Sequence, residues 1–218
     1  MGKKRACIIT GGTISPKFLS KHLSQNSYSF LLVVDGALEL THSLGIQPDY
    51  IIGDFDTVSE EILEFYDKNI ILRHLPEKDQ TDTELAVETA IGLQCEEIDF
   101  LGAVGSRLDH SLANIFLLQR LLKQKVEGVI WNECNKLYLK ETSFRVKKKE
   151  AKGEFLSLLP LTQMVEEVTL LGVKYPVKNR TFYREDTLGV SNEIIDEEAV
   201  INFSRGIFIV VESKDNER

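Results

Sequence analysis

Over roughly its first 135 residues this chain repeats one arrangement: a short apolar run, a small or acidic residue at its end, then a helix signal. The runs are Ala6–Thr10, Phe30–Val34, Tyr50–Ile52, Ile70–Leu72, Glu97–Val104 and Val129–Trp131. Helical spacing is read between them over Phe18–Leu23, from Ala37, over Glu60–Lys68, Thr83–Leu93 and about Ser111–Lys123. Strand–helix alternation predicts a mostly parallel sheet flanked by helices. Beyond Asn135 the pattern changes to short β-like runs with turn residues between them, spaced near ten residues, as in 136–139, 154–159, 168–171, 200–203 and 206–211. That spacing predicts an all-β sandwich. The expected organisation is therefore an α/β N-terminal domain over 1–135 and a β-sandwich C-terminal domain over 136–218.

In open α/β sheets ligands bind beyond the carboxyl ends of the strands, so the residues just after each run carry the functional argument. After Tyr50–Ile52 comes Gly53-Asp54-Phe55-Asp56. If the backbone stays extended, Asp54 and Asp56 share a face. Two carboxylates about 4 Å apart repel by roughly 4 kcal/mol at an effective dielectric of 20. A hard divalent cation relieves that repulsion, and magnesium favours one or two carboxylates plus substrate phosphates. A polar Asx-type turn explains the same four residues, and this stretch alone does not choose between the two.

The other strand ends add to it. Phe30–Val34 runs into Asp35-Gly36, an acid followed by glycine. Asp79 and Asp82 flank a helix start at which Thr81 and Glu84 have capping-box spacing. Gly105-Ser106-Arg107-Leu108-Asp109-His110 follows the Glu97–Val104 run, with Arg107 offering a planar fork for phosphate oxygens. The pair Gly11-Gly12 lies after the first run without a full dinucleotide fingerprint or P-loop.

Composition narrows the class. A net charge of −8 over 218 residues argues against a nucleic-acid surface. The three cysteines form no CxxC or Cys/His cluster, which speaks against a disulfide framework or a zinc site. The apolar run Ala6–Ile9 is too short for a signal peptide, and no run reaches transmembrane length, so a cytoplasmic setting without membrane contact is expected.

Taken in order, Asp35-Gly36-Ala37, Gly53–Asp56, Lys78–Asp82, Gly105–His110, Ser157–Leu161, Gly172–Pro176 and Gly189–Glu193 resemble the motifs of thiamine pyrophosphokinases through nearly the whole chain. The resemblance implies an ATP- and magnesium-binding α/β domain, a thiamine-binding β-sandwich, and a homodimer with the thiamine site near the subunit interface. It implies transfer of a pyrophosphoryl group from ATP to thiamine, giving thiamine diphosphate and AMP.

By position it implies a magnesium cluster of Asp54, Asp56 and Asp82. Asp79 and Arg107 join these as residues of the chemistry. Nucleotide and metal contacts fall to Asp35, Gly36, Thr81, Gly105, Ser106, Asp109 and His110. Thiamine contacts fall to Tyr175, Ser191 and Asn192. Tyr175 stands where some members carry a tryptophan that stacks on thiamine. Two other readings stay open on sequence: a related diphosphokinase acting on another acceptor such as a hydroxymethylpterin, and a non-catalytic nucleotide-binding regulator.

Overall fold

The computed structural model describes residues 2–73 and 80–215. The chain divides between Glu133 and Cys134 into two units.

The first unit alternates strands and helices in chain order: β1 (Arg5–Ile9), α1 (Pro16–Gln25), β2 (Phe30–Val34), α2 (Ala37–Ser43), β3 (Tyr50–Gly53), α3 (Glu60–Phe65), β4 (Ile71–Arg73), α4 (Asp82–Gly92), β5 (Glu97–Leu101), α5 (Leu108–Lys123) and β6 (Glu127–Trp131). Within the unit the strands lie in the order β6-β5-β1-β2-β3-β4, and every pairing is parallel. The chain winds outward from β1 to β4 and then returns to β1's other side with β5. The strand order therefore reverses between β1 and β5, where open α/β sheets form ligand crevices.

β1, β2, β3 and β5 are apolar over most of their length because helices cover both faces, and Ile8, Leu32, Ile51 and Phe100 are fully buried. Helix starts follow local chemistry. Ser15 Oγ caps α1 by accepting from Phe18 N at 3.2 Å, with Pro16 next to it in the first turn. Thr81 Oγ1 caps α4 by accepting from Glu84 N at 3.2 Å.

The second half of the expected capping box is not made. Glu84 instead joins Gln80, Glu88 and Arg120 in a polar network that ties α4 to α5, with Arg120 Nη2 on Glu88 Oε1 at 2.6 Å. Helix α3 ends three residues short of expectation, because Asp67 accepts from Asn69 N at 2.9 Å and starts a separate 3₁₀ turn over Lys68–Ile70.

The second unit is all β: β7 (Asn135–Lys140), β8 (Phe144–Lys147), β9 (Phe155–Pro160), β10 (Met164–Leu171), β11 (Val177–Tyr183), β12 (Asn192–Glu193), β13 (Glu198–Asn202) and β14 (Phe208–Ser213). One layer runs β12-β9-β14-β7 and the other β11-β10-β13-β8, all antiparallel. Leu156, Leu158, Phe208 and Val210 of the first layer share one core with Val165, Val168, Phe182 and Ile201 of the second. That is a sandwich.

Strand β11 lies outside the runs read from sequence. Only Phe182 of Val177–Tyr183 is buried, and Asn179 sits in the left-handed region at an irregularity in the β10–β11 register. An edge strand of that kind has no apolar alternation to read. Among the described residues no helix is long and apolar enough to cross a membrane. Cys7 and Cys95 are buried free thiols, and Cys134 is half-buried and also unbridged.

Candidate functional site

The acidic cluster begins where β2 and β3 end side by side. Asp35 leaves β2 with φ of 40°, in the left-handed region, while its amide still donates to Ile52 O at 2.9 Å. A short polar residue tolerates that conformation better than a branched one. Its neighbour must be small: a Cβ on Gly53 would lie 3.1 Å from the Asp35 Cβ.

Two residues on, Phe55 is buried with φ of 63°. The condition of an extended backbone through Asp54-Phe55-Asp56 is therefore not met. The chain turns at Phe55, and Asp56 N donates to Asp54 Oδ1 at 3.3 Å. Asp54 and Asp56 still converge, by a turn rather than by strand alternation. Backbone strain of this kind costs on the order of 1–3 kcal/mol per residue and collects at functional sites.

Carboxylate oxygens of Asp35, Asp54 and Asp56 lie within 4.8 Å of one another. The sequence reading put Asp82 in the trio and Asp35 beside it. The structure brings Asp35 into the trio, because β2 and β3 are neighbours in the sheet. Asp82 opens α4 and lines the same cavity as Asp35.

The electrostatics are unfinished. Thr57 Oγ1 donates to Asp35 Oδ2 at 3.2 Å, but Asp35 Oδ1 is buried without a hydrogen-bond partner. Burial raises the Asp35 pKa above its ordinary value, the charges of Asp54 and Asp82 add to the rise, and the Gly36 amide and Thr57 hydroxyl offset part of it. Three hard oxygen donors with one buried lone pair unserved fit a magnesium ion in donor chemistry. Asp35, Asp54 and Asp56 are the residues that could hold it, with Asp82 on the wall of the same cavity as Asp35.

Asp35 of this cluster lines a cavity of about 480 Å³ whose walls also include Thr10, Gly12, Gly36, Thr81, Gly105 and Arg107. It sits at the switch point named above. Gly12 N donates to Gly102 O at 2.8 Å, and a Cβ on either glycine would collide with a backbone carbonyl of the other loop. The amino ends of α4 and α5 both reach the cavity, presenting positive dipole ends suited to phosphate.

Helix α5 starts at Leu108, three residues earlier than expected, with Arg107 as its first flanking residue. Arg107 is exposed and forms a two-pronged pair with Asp109, Nε to Oδ1 at 3.2 Å and Nη2 to Oδ2 at 2.6 Å. The Arg107 hydrogen bonds hold the Asp109 carboxyl down at a pKa of about 2. His110 also lines the cavity; Asp79 lies outside the described residues.

Sequence reasoning missed three supporting residues. Ser111 Oγ accepts from Gly105 N at 3.0 Å and donates to Arg107 O at 2.9 Å. Asn114 Nδ2 donates to Ala103 O at 2.7 Å, and Thr10 Oγ1 donates to Gly102 O at 2.6 Å. Together they hold the 102–107 loop that forms one wall. A polar residue at helical spacing reads from sequence as solvent-facing, so nothing in the pattern flagged Ser111 or Asn114.

In the second unit the structure brings together Tyr175, Ser191 and Asn192. Tyr175 is 60% exposed in the connection between β10 and β11. Asn192 is buried, and its amide binds the Tyr175 backbone twice: Oδ1 accepts from Tyr175 N at 3.0 Å and Nδ2 donates to Tyr175 O at 3.0 Å. Ser191 has φ of 55°, and its amide donates to Ser157 Oγ at 2.9 Å.

Comparison with known proteins meets this geometry at both units. A family model described as thiamin pyrophosphokinase, catalytic domain, matches residues 21–130, and one described as thiamin pyrophosphokinase, vitamin B1 binding domain, matches residues 141–208. The thiamine pyrophosphokinase of Bacillus subtilis strain 168 is 32% identical over 212 residues, covering 95% of this chain and 98% of that protein. The chain belongs to the thiamine pyrophosphokinase family.

Solved members of the thiamine pyrophosphokinase family share its fold. The Bacillus subtilis structure superposes with a TM-score of 0.86 at 28% identity, covering 98% of this chain and all of that one. The Geobacillus thermodenitrificans structure gives 0.84 at 28% identity, covering 98% and 99%. The catalytic-domain match takes in the acidic cluster and the 102–114 region but begins after Gly11-Gly12. The vitamin B1 binding match takes in Tyr175, Ser191 and Asn192.

Proposed function

We propose that this member of the thiamine pyrophosphokinase family transfers a pyrophosphoryl group from ATP to thiamine, giving thiamine diphosphate and AMP. The observation that carries the reading is the acidic cluster that meets the cavity through Asp35, with a buried carboxylate oxygen of Asp35 left unserved among like charges.

Pyrophosphoryl transfer asks the protein for positioning and charge neutralisation more than covalent chemistry. The thiamine hydroxyl oxygen bonds to the β-phosphorus, the bond from that phosphorus to the bridging oxygen breaks, and AMP leaves with the bridging oxygen. The hydroxyl proton passes to a carboxylate or to water. Magnesium held by Asp35, Asp54 and Asp56, with Asp82 near, would neutralise the phosphate oxygens.

The loop and helix ends around Gly105 and Thr81 cradle the phosphates, with Gly36, Ser106 and His110 on the same walls. Arg107 offsets charge that builds on the transferred group. Asp79 or Asp82 orients the attacking hydroxyl; replacing each by Asn with ATP and magnesium saturating tests this, and unchanged turnover in both variants removes the role.

Thiamine sits against Tyr175, whose exposed ring suits a cationic thiazolium or a pyrimidine face. The finer parts of the proposal are the 1–135 and 136–218 domain roles, a cytoplasmic setting, and a homodimer with the thiamine site near the subunit interface. Exposed apolar residues flanking Ser191-Asn192 support the last of these: Val190 at 47% and Ile195 at 57%. Sedimentation at micromolar concentration checks it, and a monomer there counts against it.

The decisive assay couples AMP formation to ATP, magnesium and thiamine, beside the Asp54→Asn variant. AMP and thiamine diphosphate appearing together, and both lost in the variant, is the expected result. AMP only with another acceptor, or none with any, overturns the acceptor or the catalysis respectively.

A further inference from the structure

Asn192 has no hydrogen-bonding capacity to spare on its carbonyl side. Oδ1 accepts from Tyr175 N at 3.0 Å and from Glu193 N at 2.9 Å, which uses both lone pairs. Nδ2 donates to Tyr175 O at 3.0 Å. The side chain is 7% exposed, whereas Tyr175 is 60% exposed. The pair is separated by 17 residues, and it closes one end of a zipped segment in which residues 172–174 pair with 193–195. Lys174 N donates to Glu193 O at 2.9 Å, Val173 bridges Ile194, and Ile195 N donates to Gly172 O at 3.0 Å.

Tyr175 has no buried body to anchor its ring; its backbone is what is fixed. Lys174 Nζ adds a partner at the ring, 5.6 Å from its centroid, and is itself held by Glu193 Oε1 at 2.6 Å.

We infer that Asn192 is a positioning residue which acts on the thiamine ring system only through Tyr175, by clamping both backbone groups of that residue. This rests on the proposed thiamine reaction and changes the role of Asn192 within it from substrate contact to support. Only asparagine offers a donor and an acceptor at this reach. Aspartate keeps the two accepted bonds and loses the donated one, glutamine is one methylene too long, and alanine loses all three. Ser191 and Ser157 extend the device: the Ser157 hydroxyl holds the Ser191 amide while Ser191 takes the left-handed turn that presents Asn192 to Tyr175.

Two measurements test the clamp. Hydrogen exchange of the Tyr175 amide reads it without any turnover: protection is expected in the wild-type protein and in Asn192→Asp, and lost in Asn192→Ala. Unchanged protection in Asn192→Ala overturns the clamp even if the reaction proves to be the one proposed.

Steady-state kinetics reads the consequence. Asn192→Ala should raise KM for thiamine by about 10-fold with KM for ATP unchanged, the loss expected when a couple of neutral hydrogen bonds go. Asn192→Asp should fall between wild type and Asn192→Ala. In a Tyr175→Ala background the same substitution should add less than about 2-fold, because residues acting as one unit are non-additive. A full further 10-fold loss there puts Asn192 on the substrate and overturns the inference. So does a lowered melting temperature with no thiamine-specific effect, which makes the residue merely structural. Wild-type protein that makes no thiamine diphosphate removes the reaction, while the exchange result still decides the clamp.

Discussion

Asp35 and Asp99 are the same residue type in the same α/β unit, and the fold treats them oppositely. Asp99 sits in the middle of β5, 5% exposed, and its carboxylate is fully served: Tyr28 OH donates at 2.6 Å, Arg5 Nη2 at 2.9 Å and Trp131 Nε1 at 3.0 Å. Burial by itself raises the Asp99 pKa, but the nearby His22 ring at 3.8 Å, the hydrogen bonds from Tyr28 and Trp131 and the Arg5 charge outweigh it and hold the group below its ordinary value. Asp35, just past the end of β2, keeps a buried oxygen without a partner, and its pKa is raised. A carboxylate that serves the fold is saturated by the fold. One that waits for a charged ligand is left short, and the fold bears the cost.

The largest effect that sharpens this contrast is on turnover. Asp54→Asn should lower kcat roughly 10²–10³-fold, the scale of losing one preorganised electrostatic contact to a developing charge. Its melting temperature should hold or rise, since a like charge leaves the cluster. A melting temperature that falls together with activity would mean that the cluster is structural, and the contrast with Asp99 would break.

Asp99→Ala should do the reverse. Removing one side of a buried ionic network leaves the Arg5 charge and the Tyr28 and Trp131 donors short, at a cost of about 3 kcal/mol. Specific activity of the protein that remains folded should be unaffected. The pH dependence has a definite sign. The folded-state pKa of Asp99 lies below its unfolded value, so its stabilising contribution is complete above the ordinary carboxylate pKa. It is lost as pH falls through that value toward the folded one. Melting curves of wild type and Asp99→Asn should therefore differ most above about pH 5 and converge toward pH 3, given an ordinary Asp pKa of about 3.9. Curves that stay parallel throughout would show that Asp99 contributes no titrating charge.

Asp35→Asn separates the two kinds of aspartate by sign. Asparagine tolerates the left-handed backbone and removes a partly buried charge among like charges, so the variant should gain stability. After allowance for solvent screening the gain is under about 1 kcal/mol. It should also lose turnover. Magnesium should raise the melting temperature of the wild type and leave that of Asp35→Asn or Asp54→Asn unmoved, because an ion that binds only the folded state stabilises by mass action.

Much of this was legible in the sequence because it depends on short-range pattern. Strand–helix alternation gave the parallel sheet, and the polar and glycine residues after the runs located the cavity wall at Asp35, Thr81 and Gly105. What escaped depends on pairing in space. Asp35 joins Asp54 and Asp56 only because β2 and β3 are neighbours and because Phe55 turns back through a left-handed conformation. The Asp99 network draws on residues from four separate stretches, and an aspartate inside an apolar run gave no sign of them. Tyr175 and Asn192 were both singled out, but their mutual contact spans 17 residues and has no periodic signature.

The smallest effect concerns a pair that belongs to neither class. Arg107 and Asp109 are both exposed, so their ion pair is screened and the fold does not depend on it. Asp109→Asn should leave the melting temperature unchanged. The pair nevertheless fixes the plane of the guanidinium through two contacts at the cavity wall. Losing that orientation should raise KM for ATP about 2- to 5-fold with kcat nearly held, a change on the scale of one exposed ion pair. Arg107→Ala should cost more, since it removes the charge itself. If Asp109→Asn costs as much as Asp54→Asn, Asp109 touches the reacting groups directly, and the acidic site extends from the ends of β2 and β3 across the cavity to α5.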